Sequence, residues 1–233
     1  MLTWGTGDRV AVLIHGMLGA ATQYHQVGPA LAARGYRAIA IDLPGHGSSP
    51  PAPRATMDVF VNAVLAAVAP GPALAIGHSL GAIVLSNALP RLRPERVVYV
   101  DVPLDAGGPP ASPDELKARF TESQAARTEA RLRATRADWT AEDCRLEAQA
   151  AEQFDVATAV ALESSYVGHA VAEPPVPSLV IHADPSRYVS PARARELQTL
   201  GYHVRSIPGA GHCVWYGHLD AFLKALDGWL APW

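Results

Sequence analysis

Six short runs of Val, Ile, Leu and Ala recur along the chain, and most of them are continuous apolar blocks rather than alternating ones. Continuous blocks are typical of strands that are covered on both faces of a parallel sheet. Five stretches with helical patterning lie between or after them. This alternation predicts a doubly wound, mostly parallel α/β sheet with right-handed crossovers. The predicted strands are Arg9–His15, Arg37–Asp42, Ala73–His78, Arg96–Asp101, Ser178–Ala183 and His203–Pro208, and the predicted helices are Thr22–Arg34, Met57–Ala69, Leu80–Leu89, Pro191–Leu200 and Gly217–Leu230.

One long segment, from Ala111 to Ala172, contains no strand candidate and is polar, helical sequence rich in Ala, Glu and Arg. Within it, Thr140-Ala-Glu-Asp143 has the pattern of a helix start. Gly107-Gly-Pro-Pro110 and Pro174-Pro-Val-Pro177 flank the segment, a composition expected of connectors. We therefore predict a core of residues 1–110 and 173–233, with a helical lid of residues 111–172 inserted before the penultimate strand.

Composition narrows the class of protein. The chain has 233 residues, enough for one domain with a sizeable core, and its net charge of -3 argues against a nucleic-acid partner. Two cysteines, Cys144 and Cys213, are too few for a disulfide framework or a zinc site. No basic and apolar leader begins the chain, and no apolar run approaches the ~18 residues of a membrane span. We expect a cytoplasmic enzyme.

The third predicted strand ends in Gly77-His-Ser79-Leu-Gly81 and passes directly into a predicted helix. A Gly-x-Ser-x-Gly sequence in this context forces a sharp turn that exposes the serine at the strand tip and at the positive end of the helix. The motif alone can be a chance match, but here an apolar strand precedes it and an apolar helix follows. Ser79 is therefore the candidate nucleophile.

A serine nucleophile needs a general base and donors for the oxyanion that its attack generates. The turn His15-Gly-Met17-Leu-Gly19 follows the first strand, and we predict the backbone amides of Met17 and Leu80 as the donors. His212, in a loop after the last strand, is the candidate base, because this edge of the sheet is where such folds place their chemistry. The other histidines are interpreted as packing residues at strand ends (His15, His78, His182) or as surface and lid residues (His25, His169, His203, His218).

These motifs, together with Asp42-Leu-Pro-Gly-His46-Gly-Ser48-Ser49, resemble the α/β-hydrolase superfamily, in particular small esterases and thioesterases that share an Asp-x-x-Gly-His-Gly-x-Ser loop. The likeness extends from the His15 turn through Ser79 to His212 and the closing helix, and leaves out only the lid. It implies an α/β-hydrolase fold, and it makes the Gly-His-Gly loop structural, so that His46 has no catalytic task.

The acid of the expected triad is the point at which this sequence departs from the family. Relatives most often carry a motif resembling Gly-x-x-Asp-x-x-Val after the penultimate strand, and here Ser186 occupies the position of that Asp. Asp184 lies two residues earlier, and Asp101 lies at the tip of the preceding strand, where some relatives have their acid. We prefer Asp184, because many relatives have an acidic residue at the Asp101 position without using it. Asp105 is a more distant third candidate.

The sequence thus predicts a serine hydrolase that acts on a small-molecule ester, thioester or related acyl bond through an acyl-enzyme on Ser79, without a metal or organic cofactor. The alternative is a non-catalytic ligand- or partner-binding protein that keeps the fold. This alternative is favoured by the absence of an acid at position 186, where relatives most often have one. Aromatic residues of the lid either line an acyl pocket or simply pack: Phe120, Trp139, Phe154 and Tyr166. Nothing in the sequence indicates the oligomeric state.

Overall fold

The computed structural model describes residues 1–105, 111–166, 168 and 172–230. Its sheet has seven strands in the order β1-β3-β2-β4-β5-β6-β7. All neighbouring strands pair in parallel except β1, which pairs antiparallel with β3 at the edge. The strands are β1 Leu2–Trp4, β2 Arg9–Ile14, β3 Tyr36–Ile41, β4 Leu74–His78, β5 Val97–Val100, β6 Ser178–Asp184 and β7 His203–Pro208.

Helices lie on both faces of this sheet, and alternate strand residues point to different clusters of buried side chains. In β2, Ala11 and Leu13 belong to one cluster, and Val12 and Ile14 belong to the other. This two-sided burial explains the continuous apolar blocks of the sequence. The helices are α1 Val27–Ala32, α2 Met57–Ala67, α3 Leu80–Leu92, α4 Pro113–Ala125, α5 Glu129–Thr135, α6 Ala141–Glu152, α7 Val156–Ser165, α8 Pro191–Thr199 and α9 Leu219–Ala225, with a 3₁₀ helix at Ala21–Tyr24.

The doubly wound fold and all six predicted strands are confirmed, with small shifts of their ends. Two details of the prediction were wrong. The predicted helix Thr22–Arg34 is divided into the 3₁₀ helix and α1, and the last helix is shorter than Gly217–Leu230. Strand β1 was missed because it has three largely exposed residues, which form no apolar block.

The segment between β5 and β6 is helical in its described part, where it forms α4 to α7. Helix α6 begins as predicted at Thr140: its side chain accepts a hydrogen bond from the Asp143 amide, and the Asp143 side chain accepts one from the Thr140 amide. The connector 107–110 and His169 lie outside the described residues. The function of the segment as a lid, and the domain boundaries at residues 110 and 173, stay predictions. None of the helices that the structure describes is long and apolar enough to cross a membrane.

Candidate active site

Ser79 lies at the turn between β4 and α3, and its backbone is strained. Its φ of 51° and ψ of -116° fall outside the regions that L-residues normally occupy. The tight turn also brings the start of α3 against β2: a Cβ on Gly81 would lie only 2.2 Å from the carbonyl oxygen of Ile14. Strain of this kind persists only where the surrounding structure enforces it, and it is concentrated at functional sites. The Ser79 side chain is half-buried.

The predicted oxyanion turn lies directly beside this serine. A Cβ on Gly16 would be 3.2 Å from the Ser79 Cβ, so the turn after β2 touches the turn after β4. The Gly19 amide closes the turn by donating to the Gly16 carbonyl at 3.0 Å. Within the described residues, the amides of Met17 and Leu80 donate to no protein acceptor. Both are therefore free to donate to a bound molecule, and Leu80 is also the first residue of α3, where the helix dipole favours negative charge.

His212 is paired with Asp101. The Nδ1 atom of His212 lies 2.7 Å from Oδ2 of Asp101, whose side chain is 1% exposed. A carboxylate oxygen accepts, so Nδ1 carries the proton and Nε2 is left with a lone pair that can take one. The Ser79 hydroxyl makes no hydrogen bond to another described group. The hydrogen bond between a serine nucleophile and its base is often long in a free enzyme and shortens when substrate binds.

The other oxygen of Asp101 is also engaged. Its Oδ1 accepts hydrogen bonds from the amide of Ala183, at 3.1 Å, and from the hydroxyl of Ser186, at 2.7 Å. Asp101 adopts a left-handed backbone conformation with φ of 46°, which Asp tolerates better than most residues. The chain that follows is held by Arg193 of α8, whose guanidinium donates to the carbonyls of Pro103 and Leu104, both at 2.6 Å. The carboxylate is therefore fixed from several sides.

The geometry reverses our preference between the two candidate acids. The Asp184 side chain is exposed, and its carbonyl oxygen accepts a hydrogen bond from the Gly209 amide. Asp105 is exposed as well. The preference for Asp184 relied on relatives that do not use the acidic residue at the Asp101 position. In this chain the Asp184 side chain is directed to solvent, while the tip of β5 directs Asp101 to the imidazole. Of the predicted site residues, the structure brings together Asp101 and His212, and Ser79 with the Gly16 turn.

His78 links the Ser79 turn to the His212 loop, a contact that its interpretation as a packing residue does not predict. Its Nε2 donates to the carbonyl oxygen of His212 at 3.0 Å, and the two rings lie 4.5 Å apart. Burial, and then the nearby His212, lower the pKa of His78 well below 6.5, so its ring is neutral. The neighbour of Ser79 in the chain thus holds the backbone of His212. No sequence signal beyond its position in the motif points to this contact.

The ring of Tyr188 also packs against the His212 ring, with centroids 4.3 Å apart and planes inclined by 36°. Tyr188 is 48% exposed, whereas the other Phe, Tyr and Trp residues that the structure describes are buried or half-buried. No motif in the sequence predicts this contact of Tyr188 either. Its position two residues after Ser186 places it in the loop that follows β6.

Helices α4 and α7 pack against the predicted oxyanion turn, His15 to Gly19. Leu18 shares a buried cluster with Leu116, Phe120, Phe154 and Ala159. The predicted pocket residues Phe120 and Phe154 therefore pack in this cluster. Trp139 packs edge-to-face on Tyr216, at 4.7 Å between the centroids.

Helix α6 meets the core through buried polar contacts. Asp143, with a fully buried side chain, lies 2.8 Å from Nε2 of His25, and Glu147 accepts a hydrogen bond from Gln23 at 3.3 Å. Burial alone would raise the pKa of Asp143, but hydrogen bonds from His25 and Thr140 outweigh it and hold the pKa below its usual value. These contacts attach the insertion to the 3₁₀ helix beside the oxyanion turn.

His15 and His46 have structural positions. Both are fully buried, and burial lowers the pKa of His15 to about 4 and that of His46 to about 3. His15 accepts the Leu43 amide at Nε2, at 3.0 Å, while Nδ1 of His46 donates to the Pro44 carbonyl at 2.9 Å. Both rings are neutral and hold the loop after β3, as expected for the Gly-His-Gly sequence.

Comparison with known proteins identifies the family of this chain. The family model described as "Alpha/beta hydrolase family" matches residues 11–225, which include both turns, Asp101 and His212. The chain belongs to the alpha/beta hydrolase family. Membership of this family supports a hydrolase activity.

Solved structures similar to this alpha/beta hydrolase include an esterase from Exiguobacterium antarcticum, with 13% identity and a TM-score of 0.78 over 98% of this chain and 94% of that chain. A bromoperoxidase from Bacillus anthracis has 22% identity and a TM-score of 0.78, again over 98% of this chain and 94% of that chain. At these identities the similarity shows the fold.

A curated protein of Pseudomonas putida is also similar, the dihydrolipoyllysine-residue acetyltransferase component of an acetoin cleaving system. It is 37% identical over 115 residues, which are 46% of this chain and 30% of that protein. The match therefore spans less than a third of that protein's length.

Proposed function

We propose that the protein is a serine hydrolase that cleaves an ester, thioester or related acyl bond through an acyl-enzyme on Ser79. The observation that carries the proposal is the contact of 2.7 Å between the buried Asp101 carboxylate and Nδ1 of His212. The loop of His212 is in turn hydrogen-bonded to His78, the residue before the strained Ser79. A strained serine, an imidazole with a free Nε2 and a buried carboxylate are the three groups that such a mechanism requires.

In the proposed first step the Ser79 hydroxyl attacks the acyl carbonyl while His212 takes its proton at Nε2. Asp101 holds the imidazole in the tautomer with the proton on Nδ1 and stabilises the imidazolium that forms. The amides of Met17 and Leu80 donate to the oxyanion of the tetrahedral intermediate. His212 then protonates the leaving alkoxide or thiolate. Water activated by the same imidazole hydrolyses the acyl-enzyme.

A moderately hydrophobic acyl group suits the apolar residues of the oxyanion turn. Met17 is half-buried and Leu18 is buried against helices α4 and α7. The esterase among the structural neighbours acts on esters according to its name. An ester or thioester of a moderately hydrophobic acid is therefore the substrate class that we propose.

Labelling with a fluorophosphonate probe tests the mechanism without knowledge of the substrate. We expect wild-type protein to be labelled at Ser79, and Ser79→Ala to be folded and unlabelled. His212→Ala should label slowly, because the hydroxyl loses its base. If folded wild-type protein is not labelled, the alternative of a non-catalytic ligand- or partner-binding protein is favoured instead.

A substrate panel then separates the acyl classes. p-Nitrophenyl esters with acyl chains of two to eight carbons would be compared with acyl-thioesters of the same chains by kcat/KM. A preference for p-nitrophenyl butyrate over the octanoate supports a small acyl pocket. Turnover of neither series by a labelled enzyme would contradict the proposed substrate class while leaving the nucleophile intact.

A further inference from the structure

The hydroxyl of Ser186 makes three hydrogen bonds whose directions are fixed by the partners. Its oxygen accepts the amides of Tyr188, at 3.0 Å, and Val189, at 2.9 Å, and it lies 2.7 Å from Oδ1 of Asp101. A serine hydroxyl has one proton and two lone pairs. Both amides can only donate, so they occupy the lone pairs. The one proton of Ser186 must therefore point to the Asp101 carboxylate.

This donor acts on a carboxylate that has little access to solvent. Asp101 is 1% exposed, and its Oδ1 receives only protein donors, Ser186 and the Ala183 amide, within the described residues. With two donors on Oδ1, the plane of the carboxylate is fixed and Oδ2 remains for Nδ1 of His212. Bulk water cannot readily replace a lost donor at a buried site, so the orientation depends on Ser186.

Ser186 owes its own orientation to the loop. Because its oxygen accepts the amides two and three residues further along the chain, the side chain is held by a local serine turn. The same loop carries Tyr188, whose ring packs against that of His212. The loop after β6 therefore meets the acid and the base at once, and it does so at the position where relatives most often have the acid itself.

We propose that Ser186 is a positioning residue: it orients the Asp101 carboxylate toward His212 and so sets the rate of the chemical step. This inference rests on the proposed serine hydrolase function. The competing explanation is that the hydroxyl only shapes the loop, in which case its loss would act through folding or through substrate affinity rather than through Asp101.

The test compares Ser186→Ala with Ser186→Thr and with a matched control, Ser190→Ala. Ser190 lies four residues away and its hydroxyl likewise accepts a backbone amide, that of Arg193 at 3.1 Å, but it is the N-cap of α8 and does not touch Asp101. With p-nitrophenyl butyrate, Ser186→Ala should lower kcat about 10- to 100-fold with KM changed less than about twofold. Ser186→Thr, which keeps the hydroxyl, and Ser190→Ala should stay within about threefold of wild-type kcat.

Removal of the acid provides the decisive comparison. If Ser186 acts through Asp101, adding Ser186→Ala to Asp101→Asn should lower kcat by no more than about twofold. The same factor of 10 or more in both backgrounds would mean that Ser186 acts independently of the acid, and the inference would be wrong. The fluorophosphonate labelling rate gives the same comparison where turnover is too slow to measure.

Thermal unfolding of each variant shows whether it is folded. If Ser186→Ala does not fold, Ser186→Cys, which keeps the size but donates weakly, takes its place and should lower kcat; wild-type kcat would overturn the inference. An unlabelled and inactive wild-type protein would instead overturn the proposed function. An active wild type with an impaired Asp101→Asn and an unimpaired Ser186→Ala would overturn only the role of Ser186.

Discussion

Replacing Asp101 by Asn changes one atom of the site and should remove most of the activity. The amide of Ala183 and the hydroxyl of Ser186 both donate to Oδ1 of Asp101. In the Asn variant these donors select the amide oxygen for that position, so the NH₂ group faces His212. An NH₂ group can only donate. Nδ1 must then accept, and the imidazole proton moves to Nε2, where the general base is needed.

The expected size of the effect follows from this reversed tautomer. In a fully coupled triad, the corresponding change lowers kcat about 10⁴-fold, which corresponds to about 5 kcal/mol of transition-state stabilisation. Asp184→Asn is the matched control, because it is the same substitution on an exposed side chain. It should change kcat less than about twofold, in line with ordinary surface substitutions.

The assay is steady-state hydrolysis of p-nitrophenyl butyrate, with circular dichroism to verify that both variants are folded. The reasoning would be refuted if Asp101→Asn kept more than about a tenth of wild-type kcat. A large loss in Asp184→Asn together with an active Asp101→Asn would identify Asp184 as the acid, despite its exposed side chain.

Three further predictions address stability and the oxyanion turn. The buried, neutral His15 and His46 bind fewer protons in the folded protein than in the unfolded chain, so the free energy of unfolding should fall as the pH drops below 6.5. At pH 5 each of the two should account for about 2 kcal/mol of this fall. In urea titrations, His46→Gln should make the fall smaller. Gly16→Ala would place a Cβ 2.9 Å from Nδ1 of His78 and should lower kcat about 100-fold. The control Gly211→Ala, whose Cβ meets nothing within 4 Å, should leave kcat unchanged. Equal kcat values for the two variants would contradict the proposed oxyanion turn. Trp215→Ala removes a fully buried side chain and should lower the free energy of unfolding, measured in urea, by about 3–5 kcal/mol. Val59→Ala, at an exposed position of α2, should change it by less than about 0.5 kcal/mol. A loss in Trp215→Ala as small as that in Val59→Ala would contradict the role of Trp215 in the core.

The helical segment between β5 and β6 contacts the residues around the proposed site directly. Helices α4 and α7 pack on Leu18, and α6 is joined to the 3₁₀ helix by the Asp143–His25 pair. The predicted oxyanion turn lies between β2 and that 3₁₀ helix. A substitution in these helices can therefore alter the conformation of the turn through direct contacts.

Local patterns in the sequence determined the fold. A strand that is covered on both faces needs apolar residues at every position, so six strands appear as continuous blocks whatever their neighbours are. The turn at Ser79 is equally local, because its glycines and the adjoining strand and helix lie within a few residues. Strand β1 escaped prediction because its three residues form no apolar block: they are largely exposed and pair with β3 at the edge of the sheet.

Which carboxylate meets His212 was decided only by the tertiary structure. Asp101, Ser186 and His212 come from three different connections after β5, β6 and β7, and the directions of their side chains depend on loop conformations such as the left-handed backbone of Asp101. Spacing along the chain contains no information about those directions. The Ser in place of the usual acid signalled that the site differs here, but only the packing of the loops shows which oxygen faces which nitrogen.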